Sequence, residues 1–260
     1  FESGEDSTTV LIGFTIQNGF AEGVYPNGAG GGIYCKESSP TCSNLIIKDN
    51  EADEHGGGIF INNPGGSGAN PTFTDVIISN NEAYAFGGGI EIYGNNTNPV
   101  FTNMTVRQNT AAQGGGIHII NGADPTFTDI TISNNEAGQG GGILIYGSNT
   151  DPVFTNIILS QNTADEGGGL YIGEGADPTF TNITISNNEA NSYGGGILIY
   201  ANNTDPMFTN MTVSQNTAIQ GGGIHIRNDA EPTFFNVTIT GNSASDGGGG
   251  ILCFDNSTGN

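Results

Sequence analysis

The sequence predicts an all-β parallel solenoid of about nine coils, with coil lengths of 26–31 residues and three short strands in each coil. The first observation is a Gly-Gly-Gly triplet followed by an aliphatic residue, which recurs through the whole chain. The aliphatic residue is found at Ile33, Ile59, Ile90, Ile117, Ile143, Leu170, Ile197, Ile224 and Ile251, in steps of 26, 31, 27, 26, 27, 27, 27 and 27 residues. The second is a Pro-x-Phe-Thr-Asn/Asp block between the triplets, as at Pro178 and Pro206. A fixed period in this range is typical of repeat architectures.

Each repeat contains short segments in which apolar and polar residues alternate. In one coil these are residues 197–200, 208–209 and 211–214, separated by Gly, Asn and Asp-Pro. Alternation predicts half-buried strands, and the separating residues predict turns. One such coil cannot bury its own apolar face, so neighbouring coils must stack on it. With stacked strands about 4.8 Å apart, nine coils make a rod about 40 Å long.

The same alternation assigns side chains to the inside or the outside of the rod. Ile197 and Ile199 are predicted to point inward, and Leu198 and Tyr200 to point outward. Asn210 and Asn216 fall at corners, where their side-chain amides can bond the turn and stack on equivalent residues of neighbouring coils. The Gly triplets are expected to form a tight corner with positive φ.

The repeat resembles two related groups of proteins. Ile185, Asn188 and Ala190, followed by Gly-Gly-Gly-Ile, are similar to the FxxN and GGA(I/L/V) motifs of chlamydial polymorphic outer-membrane proteins, with Gly in place of the Ala. Pro-Thr-Phe-Thr-Asn, Gly-Gly-Gly-Ile-Tyr-Cys and the opening segment 8–19 more broadly resemble secreted bacterial β-helix repeat proteins of pectate-lyase-like fold. The resemblance implies a right-handed parallel β-helix and a secreted protein.

Charge excludes several classes of partner. The 260 residues carry 4 Lys and Arg against 26 Asp and Glu, for a net charge of −22. Nucleic-acid binding and docking on anionic membranes both need clustered basic residues, so we expect neither. No stretch approaches the roughly 18 apolar residues of a membrane span, so we also expect no membrane insertion.

The chain begins at Phe1 without a leader segment. We interpret residues 1–260 as a single β-helix domain, cut from a longer extracellular or cell-surface protein whose secretion signal lies outside this segment.

The arrangement of charged residues argues against an enzyme. A polysaccharide lyase needs a basic residue against its substrate, and the four bases fall on scattered coils, at Lys36, Lys48, Arg107 and Arg227. A glycosidase needs two carboxyl groups in unequal environments, whereas the acids here recur in equivalent ones. We therefore predict no catalytic residues, with polysaccharide cleavage as the alternative.

Acidic residues that precede Pro form a possible calcium site. They fall at one corner of successive coils, at Asp124, Asp151, Asp177, Asp205 and Glu231. Stacked carboxylates repel one another unless something screens them, and Ca²⁺ prefers oxygen ligands. The competing interpretation, which we favour, is that each acid bonds the backbone of its own turn. No other cofactor is expected.

Outward-facing tyrosines are candidate carbohydrate-binding residues. Tyr93, Tyr146 and Tyr200 occupy one position in alternate coils, about 9.6 Å apart by strand spacing, and Tyr171 joins them as a further candidate. Such a spacing is close to the repeat of an extended disaccharide. Tyr is also a common residue of exposed strands, where it packs on its neighbours.

Threonines form a second repeated feature on the outside. One column comprises Thr74, Thr102, Thr128, Thr155, Thr181 and Thr209. Flat Thr arrays resemble ice-binding faces, but Val100, Val153 and Met207 interrupt the adjoining column. Ice binding is therefore a third functional prediction.

The histidines and cysteines suggest no metal centre. His118 and His225 share one outward position four coils apart, and we expect them and His55 to be solvated. Cys35, Cys42 and Cys253 replace apolar residues at inward positions. Cys35 and Cys42 lie in one coil and could pair, although we favour buried thiols.

These observations together favour a non-catalytic, extracellular structural or adhesive module. Open solenoid ends expose strand edges, so end-to-end stacking into surface fibres is one expected form of self-association, and surface glycans are the other expected partner. A carbohydrate-binding or polysaccharide-cleaving β-helix is the alternative.

Overall fold

The structure is a computed structural model, and it describes residues 1–254. This part of the chain contains strands and turns only. It has no helix with the length and apolar character needed to cross a membrane.

Three parallel sheets run along the rod, and each coil contributes to all three. Sheet A contains Val10–Ile12, Thr15–Gln17, Thr41–Lys48, Thr72–Ser79, Val100–Arg107, Thr126–Ser133, Val153–Ser160, Thr179–Ser186, Met207–Ser214 and Thr233–Thr240. Sheet B contains Phe20–Ala21, Glu51–Ala52, Glu82–Ala83, Thr110–Gln113, Glu136–Gln139, Thr163–Glu166, Glu189–Tyr193, Thr217–Ala218 and Ser243–Ala244. Sheet C contains Ile33–Lys36, Ile59–Asn62, Ile90–Tyr93, Ile117–Ile120, Ile143–Tyr146, Leu170–Gly173, Ile197–Tyr200, Ile224–Arg227 and Ile251–Phe254.

The predicted all-β solenoid of about nine coils is confirmed, but one coil is divided differently from the prediction. Residues 208–209 and 211–214 belong to a single eight-residue strand, Met207–Ser214, rather than to two strands. Asn210 was predicted at a corner but lies in the middle of this strand, with φ of 56°, in the left-handed region that Asn tolerates well. The third strand of the coil is the short Thr217–Ala218, which the prediction missed because two residues show no alternation.

The core is a continuous column of side chains inside the coils. Phe154 stacks on Phe127 at a ring-centroid distance of 4.8 Å and on Phe180 at 4.6 Å. Equivalent fully buried rings continue the column at Phe73, Phe101 and Phe208. Each coil places its Phe in register with the next, so the core repeats with the sequence.

A buried ladder of asparagines joins the coils at the corner between sheets A and B. Asn135 is typical: its Nδ2 donates to Oδ1 of Asn162 at 3.0 Å and to the main-chain oxygen of Val106 at 3.1 Å. The ladder runs through Asn50, Asn81, Asn109, Asn135, Asn162, Asn188 and Asn216 to Asn242. The predicted stacking of corner Asn residues is confirmed.

The Gly triplets form the sharp corner between sheets B and C. Gly114 has φ of 64°, whereas the next two glycines are required for space. A Cβ on Gly115 would lie 2.4 Å from the main-chain oxygen of Glu136, and one on Gly116 would lie 2.5 Å from that of Gly142. Only the first glycine therefore fits the positive-φ prediction; the other two let neighbouring coils approach.

Candidate functional site: a tyrosine groove on the outside of sheet C

The sharp corner makes the outside of the rod concave where sheet B meets sheet C. One wall of the concavity is the last position of sheet B, where Gln113, Gln139 and Glu166 follow one another in register. The floor and the opposite wall come from the outward positions of sheet C. The resulting groove has a volume of about 530 Å³ and is lined by Phe86, Gln113, His118, Ile120, Gln139, Leu144, Tyr146, Glu166, Tyr171, Glu174, Tyr200 and Arg227. We call it the tyrosine groove.

Side chains that were predicted to point outward form the floor of this groove. Leu144, Tyr171 and Leu198 are buried in an apolar cluster that is separate from the core. Tyr146, Tyr193 and Tyr200 pack against this cluster and are half-buried. Leu198 points outward as predicted, but it is buried because the large residues on either side of the concave corner cover it.

Three of the four candidate tyrosines meet in the groove. Tyr146, Tyr171 and Tyr200 line it, whereas Tyr93 lies outside it, against a different cavity. Gly173 occupies the register position between Tyr146 and Tyr200. A Cβ there would lie 3.1 Å from Cε1 of Tyr171 and 3.5 Å from Cδ2 of Tyr146, so the absent side chain lets the rings close over the floor.

One of the scattered bases lies at the end of the groove. The guanidinium of Arg227 is 4.5 Å from the ring centroid of Tyr193 and 4.8 Å from that of Tyr200, in cation–π contact with both. Its Nη2 is 3.7 Å from Oε1 of Glu166. The sequence analysis missed this role, although the register places Arg227 one coil after Tyr200 at the same strand position.

The sheet B wall is a chain of directed hydrogen bonds. Nε2 of Gln113 donates to Oε1 of Gln139 at 3.0 Å, and Nε2 of Gln139 donates to Oε2 of Glu166 at 3.1 Å. The groove therefore has one polar wall of amides and a carboxylate, and one aromatic wall. A cleft with apolar surface and a few fixed polar groups is typical of small-molecule and carbohydrate sites.

The histidine prediction is wrong for two of the three residues. His118 and His225 are each only 1% exposed, because the aromatic residues beside them cover the imidazoles. Phe86 stacks on His118 at 5.3 Å, and Tyr193 meets His225 edge-on at 5.3 Å. Burial, with the nearby charge of Arg227, lowers the pKa of His225 to about 4.

A buried carboxylate, Glu91, lies between His55 and His118 and contacts both. Its Oε2 is 2.9 Å from Nδ1 of His55 and its Oε1 is 3.3 Å from Nδ1 of His118. Burial opposes the charged form, but the hydrogen bonds and charges of His118 and His55 outweigh it and lower the pKa of Glu91. Burial likewise opposes a charged His55, yet Glu91 and Glu54 raise its pKa. The sequence did carry a signal for this cluster: Glu91 occupies a register position that Leu144 and Leu198 fill in later coils.

The acids before Pro form a regular column of backbone contacts. Oδ1 of Asp124 accepts from the main-chain N–H of Asp151 at 2.8 Å, and Oδ1 of Asp177 accepts from that of Asp205 at 2.7 Å. Asp151 bonds Asp177 in the same way at 3.2 Å. Asp124, Asp151 and Asp177 thus bond the next coil and not their own turns, which corrects the interpretation that we favoured.

Neighbouring carboxylates in this column repel one another. Burial and the charge of Asp124 raise the pKa of Asp151, although the N–H of Asp177 opposes the shift. Glu231 continues the corner, where its N–H bonds the main-chain oxygen of Thr204. Within residues 1–254, no group of three or more His, Cys, Asp or Glu side chains is arranged to hold a metal ion. Calcium binding at this corner stays a prediction.

The remaining candidates lie elsewhere on the rod. Cys35 and Cys42 are buried free thiols. Cys253 lies at the predicted inward register position, but it is exposed in the last described coil. The Thr column is half-buried on the outside of sheet A, next to the exposed Val100, Val153 and Met207. Ice binding by this face stays a prediction.

Comparison with known proteins identifies the fold family. The family described as "Right handed beta helix region" matches residues 88–260, which is 173 of the 260 residues. Neither the curated proteins nor the solved structures include a match to this chain. The matched region covers every residue that lines the tyrosine groove except Phe86, and it agrees with the coils seen in the structure. This fold family is shared by enzymes and non-enzymes. The chain belongs to the right-handed β-helix family.

Proposed function

We propose that this protein is a non-catalytic, extracellular adhesive module that holds a surface glycan in the tyrosine groove. The observation that carries the proposal is the meeting of Tyr146, Tyr171 and Tyr200 over one apolar floor, beside a wall of fixed amides. Sugar rings have apolar C–H faces that pack on aromatic rings, and their hydroxyl groups pair with amides and carboxylates.

Charge narrows the class of glycan. The chain carries a net charge of −22, and Glu166 and Glu174 both line the groove. An acidic polysaccharide would be repelled by this field, and Arg227 is the only Lys or Arg among the lining residues. The proposed ligand is therefore a neutral glycan lying along the rod.

Binding without cleavage is the preferred form of this proposal. Oε2 of Glu166 accepts from Gln139 and its Oε1 faces Arg227, so both oxygens are engaged by the protein. A glycosidase instead needs one carboxyl group to donate a proton to the leaving oxygen. Because Glu174 lines the same groove, a polysaccharide-cleaving protein is the second candidate.

Binding and product analysis on the same glycans separate the two candidates. Calorimetric titration with neutral oligosaccharides is expected to show binding that falls about tenfold in Tyr146→Ala and in Tyr200→Ala. Tyr84→Ala is the matched control, since Tyr84 is 82% exposed and lies outside the groove. No binding by the unaltered protein to any neutral glycan would overturn the proposal. Release of new reducing ends that disappears in Glu166→Gln would establish cleavage instead.

We also infer self-association end to end, from exposed apolar side chains at both ends of the rod. Phe14 is 55% exposed at the first coil, and Ile251 is 44% exposed at the last described coil, where it continues the inward position of Ile224. Stacking would cover them and pair the open strand edges.

A further inference from the structure

A second cavity lies on the same outer face, toward the first coils. It has a volume of about 510 Å³ and is lined by Tyr25, His55, Phe60, Asn62, Pro64 and Tyr93. We call it the aromatic pocket. None of these residues lines the tyrosine groove.

The walls of the aromatic pocket are fixed by ring contacts. The His55 imidazole stacks on Phe60 with centroids 5.1 Å apart. The Tyr25 ring meets both edge-on, at 5.8 Å from His55 and 6.3 Å from Phe60. Preformed aromatic walls favour a compact apolar group in the cavity.

Asn62 supplies a hydrogen-bond acceptor without a partner. The residue is only 2% exposed, and its Nδ2 donates to the Tyr25 hydroxyl at 2.9 Å. Its Oδ1 is buried and has no hydrogen-bond partner within the described chain. A buried unpaired acceptor is costly, so this oxygen points to a ligand that brings an N–H or O–H group.

His55 supplies a donor on another wall. Its Nδ1 lies 2.9 Å from the Glu91 carboxylate, which fixes the hydrogen on Nδ1 and leaves Nε2 for a ligand. When the ring is protonated, Nε2 is also a donor. The nearest acid to Nε2 is Glu54, whose Oε2 is 3.9 Å away and beyond hydrogen-bond distance.

We propose that the aromatic pocket binds the acetamido group of an N-acetylated amino sugar. The acetamido carbonyl accepts from Nε2 of His55, and its N–H donates to Oδ1 of Asn62. Its methyl group packs against Pro64 and Tyr93, the register neighbour of Asn62. The proposal rests on the proposed function, because the sugar carrying the acetamido group belongs to a glycan held on this face. A peptide offers the same pair of amide groups, but its continuous chain does not end in a methyl group that these walls enclose.

The preference for the acetamido group depends on pH through His55. The charged or titratable groups that face this imidazole are Glu91 and Glu54, with His118 on the far side of Glu91 and the Tyr25 hydroxyl at the pocket wall. Glu91 raises the pKa of His55 despite its burial. As pH rises through that pKa, Nε2 loses its hydrogen and becomes an acceptor, so the bond to the acetamido carbonyl is lost. Binding of glycans without an acetamido group does not depend on the protonation of His55.

The test compares two neutral oligosaccharides of equal length and linkage. Oligomers of N-acetylglucosamine carry the acetamido group where oligomers of glucose carry a hydroxyl group. Titration calorimetry at pH 6 is expected to show about tenfold tighter binding of the acetylated series, since a site built for a hydrogen bond rejects an analogue that lacks it. His55→Phe and Asn62→Leu should each remove this preference while binding of glucose oligomers is unchanged, and Tyr84→Ala should alter neither.

A measurement on the unaltered protein guards against variants that fail to fold. The pKa of His55, followed by NMR of its ring protons, should rise when N-acetylglucosamine oligomers bind and stay constant with glucose oligomers. Equal affinity for both series, or a preference that survives Asn62→Leu, would overturn the acetamido assignment. Either result would leave the proposal for the tyrosine groove unaffected. Equal binding of N-acetyl-alanine methylamide would show a peptide site instead. Failure of every glycan would refute the proposed function and this inference together, whereas binding of the acetylated series alone would uphold the pocket and refute the groove.

Discussion

The Glu91 carboxylate lies 2.9 Å from Nδ1 of His55 while Glu91 itself is only 1% exposed. A buried charge of this kind persists only when it is paired and hydrogen-bonded. The second oxygen of Glu91 reaches His118 at 3.3 Å, so one carboxylate connects a residue of the aromatic pocket with a residue of the tyrosine groove.

Glu91→Gln is expected to destabilise the protein and to remove a pH dependence. Breaking a buried pair by removing one partner costs about 3 kcal/mol. The lowered pKa of Glu91 gives stability that is present above its ordinary value of 4.5 and is lost as pH falls through the folded value. The raised pKa of His55 gives stability that is present below its ordinary value of 6.5 and is lost as pH rises through the folded value.

The unaltered protein should therefore gain most from this pair between pH 4.5 and 6.5. Urea unfolding at a series of pH values checks this, with Glu82→Gln as a control on an exposed acid. An identical pH profile in both variants would contradict the pairing.

Gly173→Ala is expected to weaken glycan binding with little effect on folding. The added methyl group would lie 3.1 Å from the Tyr171 ring and would push it away from Tyr146. We expect a loss of about tenfold in affinity for a neutral oligosaccharide, measured by calorimetry. Gly250→Ala is the control, because its methyl group would meet Ile239 at an ordinary contact distance of 3.6 Å. Unchanged affinity in Gly173→Ala would show that the tyrosines do not act as one surface.

Phe154→Ala should be among the most destabilising single substitutions. Phe154 is fully buried between two stacked rings, and removal of a buried Phe costs about 3–5 kcal/mol. Phe234 ends the same column and is only partly buried, so Phe234→Ala should cost clearly less. Thermal unfolding of the two variants compares them, and equal losses would contradict a core that weakens toward its last coil.

Thiol labelling should distinguish the three cysteines. Burial raises the pKa of Cys42 to about 11 and raises that of Cys35 further, so neither has an accessible thiolate at pH 8. A thiol reagent should therefore modify Cys253 alone in the folded protein, and all three after denaturation. Modification of one residue at most after denaturation without reductant would instead reveal a bridge between Cys35 and Cys42.

Electron microscopy tests both self-association and calcium binding. Fibres one rod wide are expected at moderate salt, because screening reduces the repulsion between chains of net charge −22. Phe14→Asp or Ile251→Asp should abolish them, and Tyr84→Ala should not. Loss of fibres on chelation, together with a calcium effect that Asp151→Asn removes, would assign the metal to the acid corner. Separate rods under all conditions would refute end-to-end stacking.

The sequence was sufficient to predict the repeat and the core. Inward residues such as Phe154 and Ile199 recur at fixed steps. Because similar coils stack in register, each of these residues is buried against its equivalents in neighbouring coils. The same regularity predicted the Asn ladder, because a corner position that repeats must meet its own copies.

The groove could not be predicted from alternation, because alternation divides residues between two faces only. Leu198 and His118 do point away from the core. They are nevertheless buried, because the sharp corner of the Gly triplets makes the outer face concave there. How far a side chain on that face is buried depends on neighbours one or two coils away, such as Phe86, which stacks on His118. The contact between Arg227 and Tyr200 likewise became visible only when register was known.

The Asn ladder gives the rod a direction. Each ladder Asn from Asn50 to Asn216 donates from Nδ2 to Oδ1 of the Asn in the following coil, so the carbonyl groups of these buried amides point the same way along the rod. The exposed amides of Asn182, Asn210 and Asn236 donate in the opposite direction. A copy that joins the rod head to tail continues the buried ladder, whereas two copies that meet through like ends oppose it. A fibre in which every copy joins head to tail would therefore have two chemically different tips.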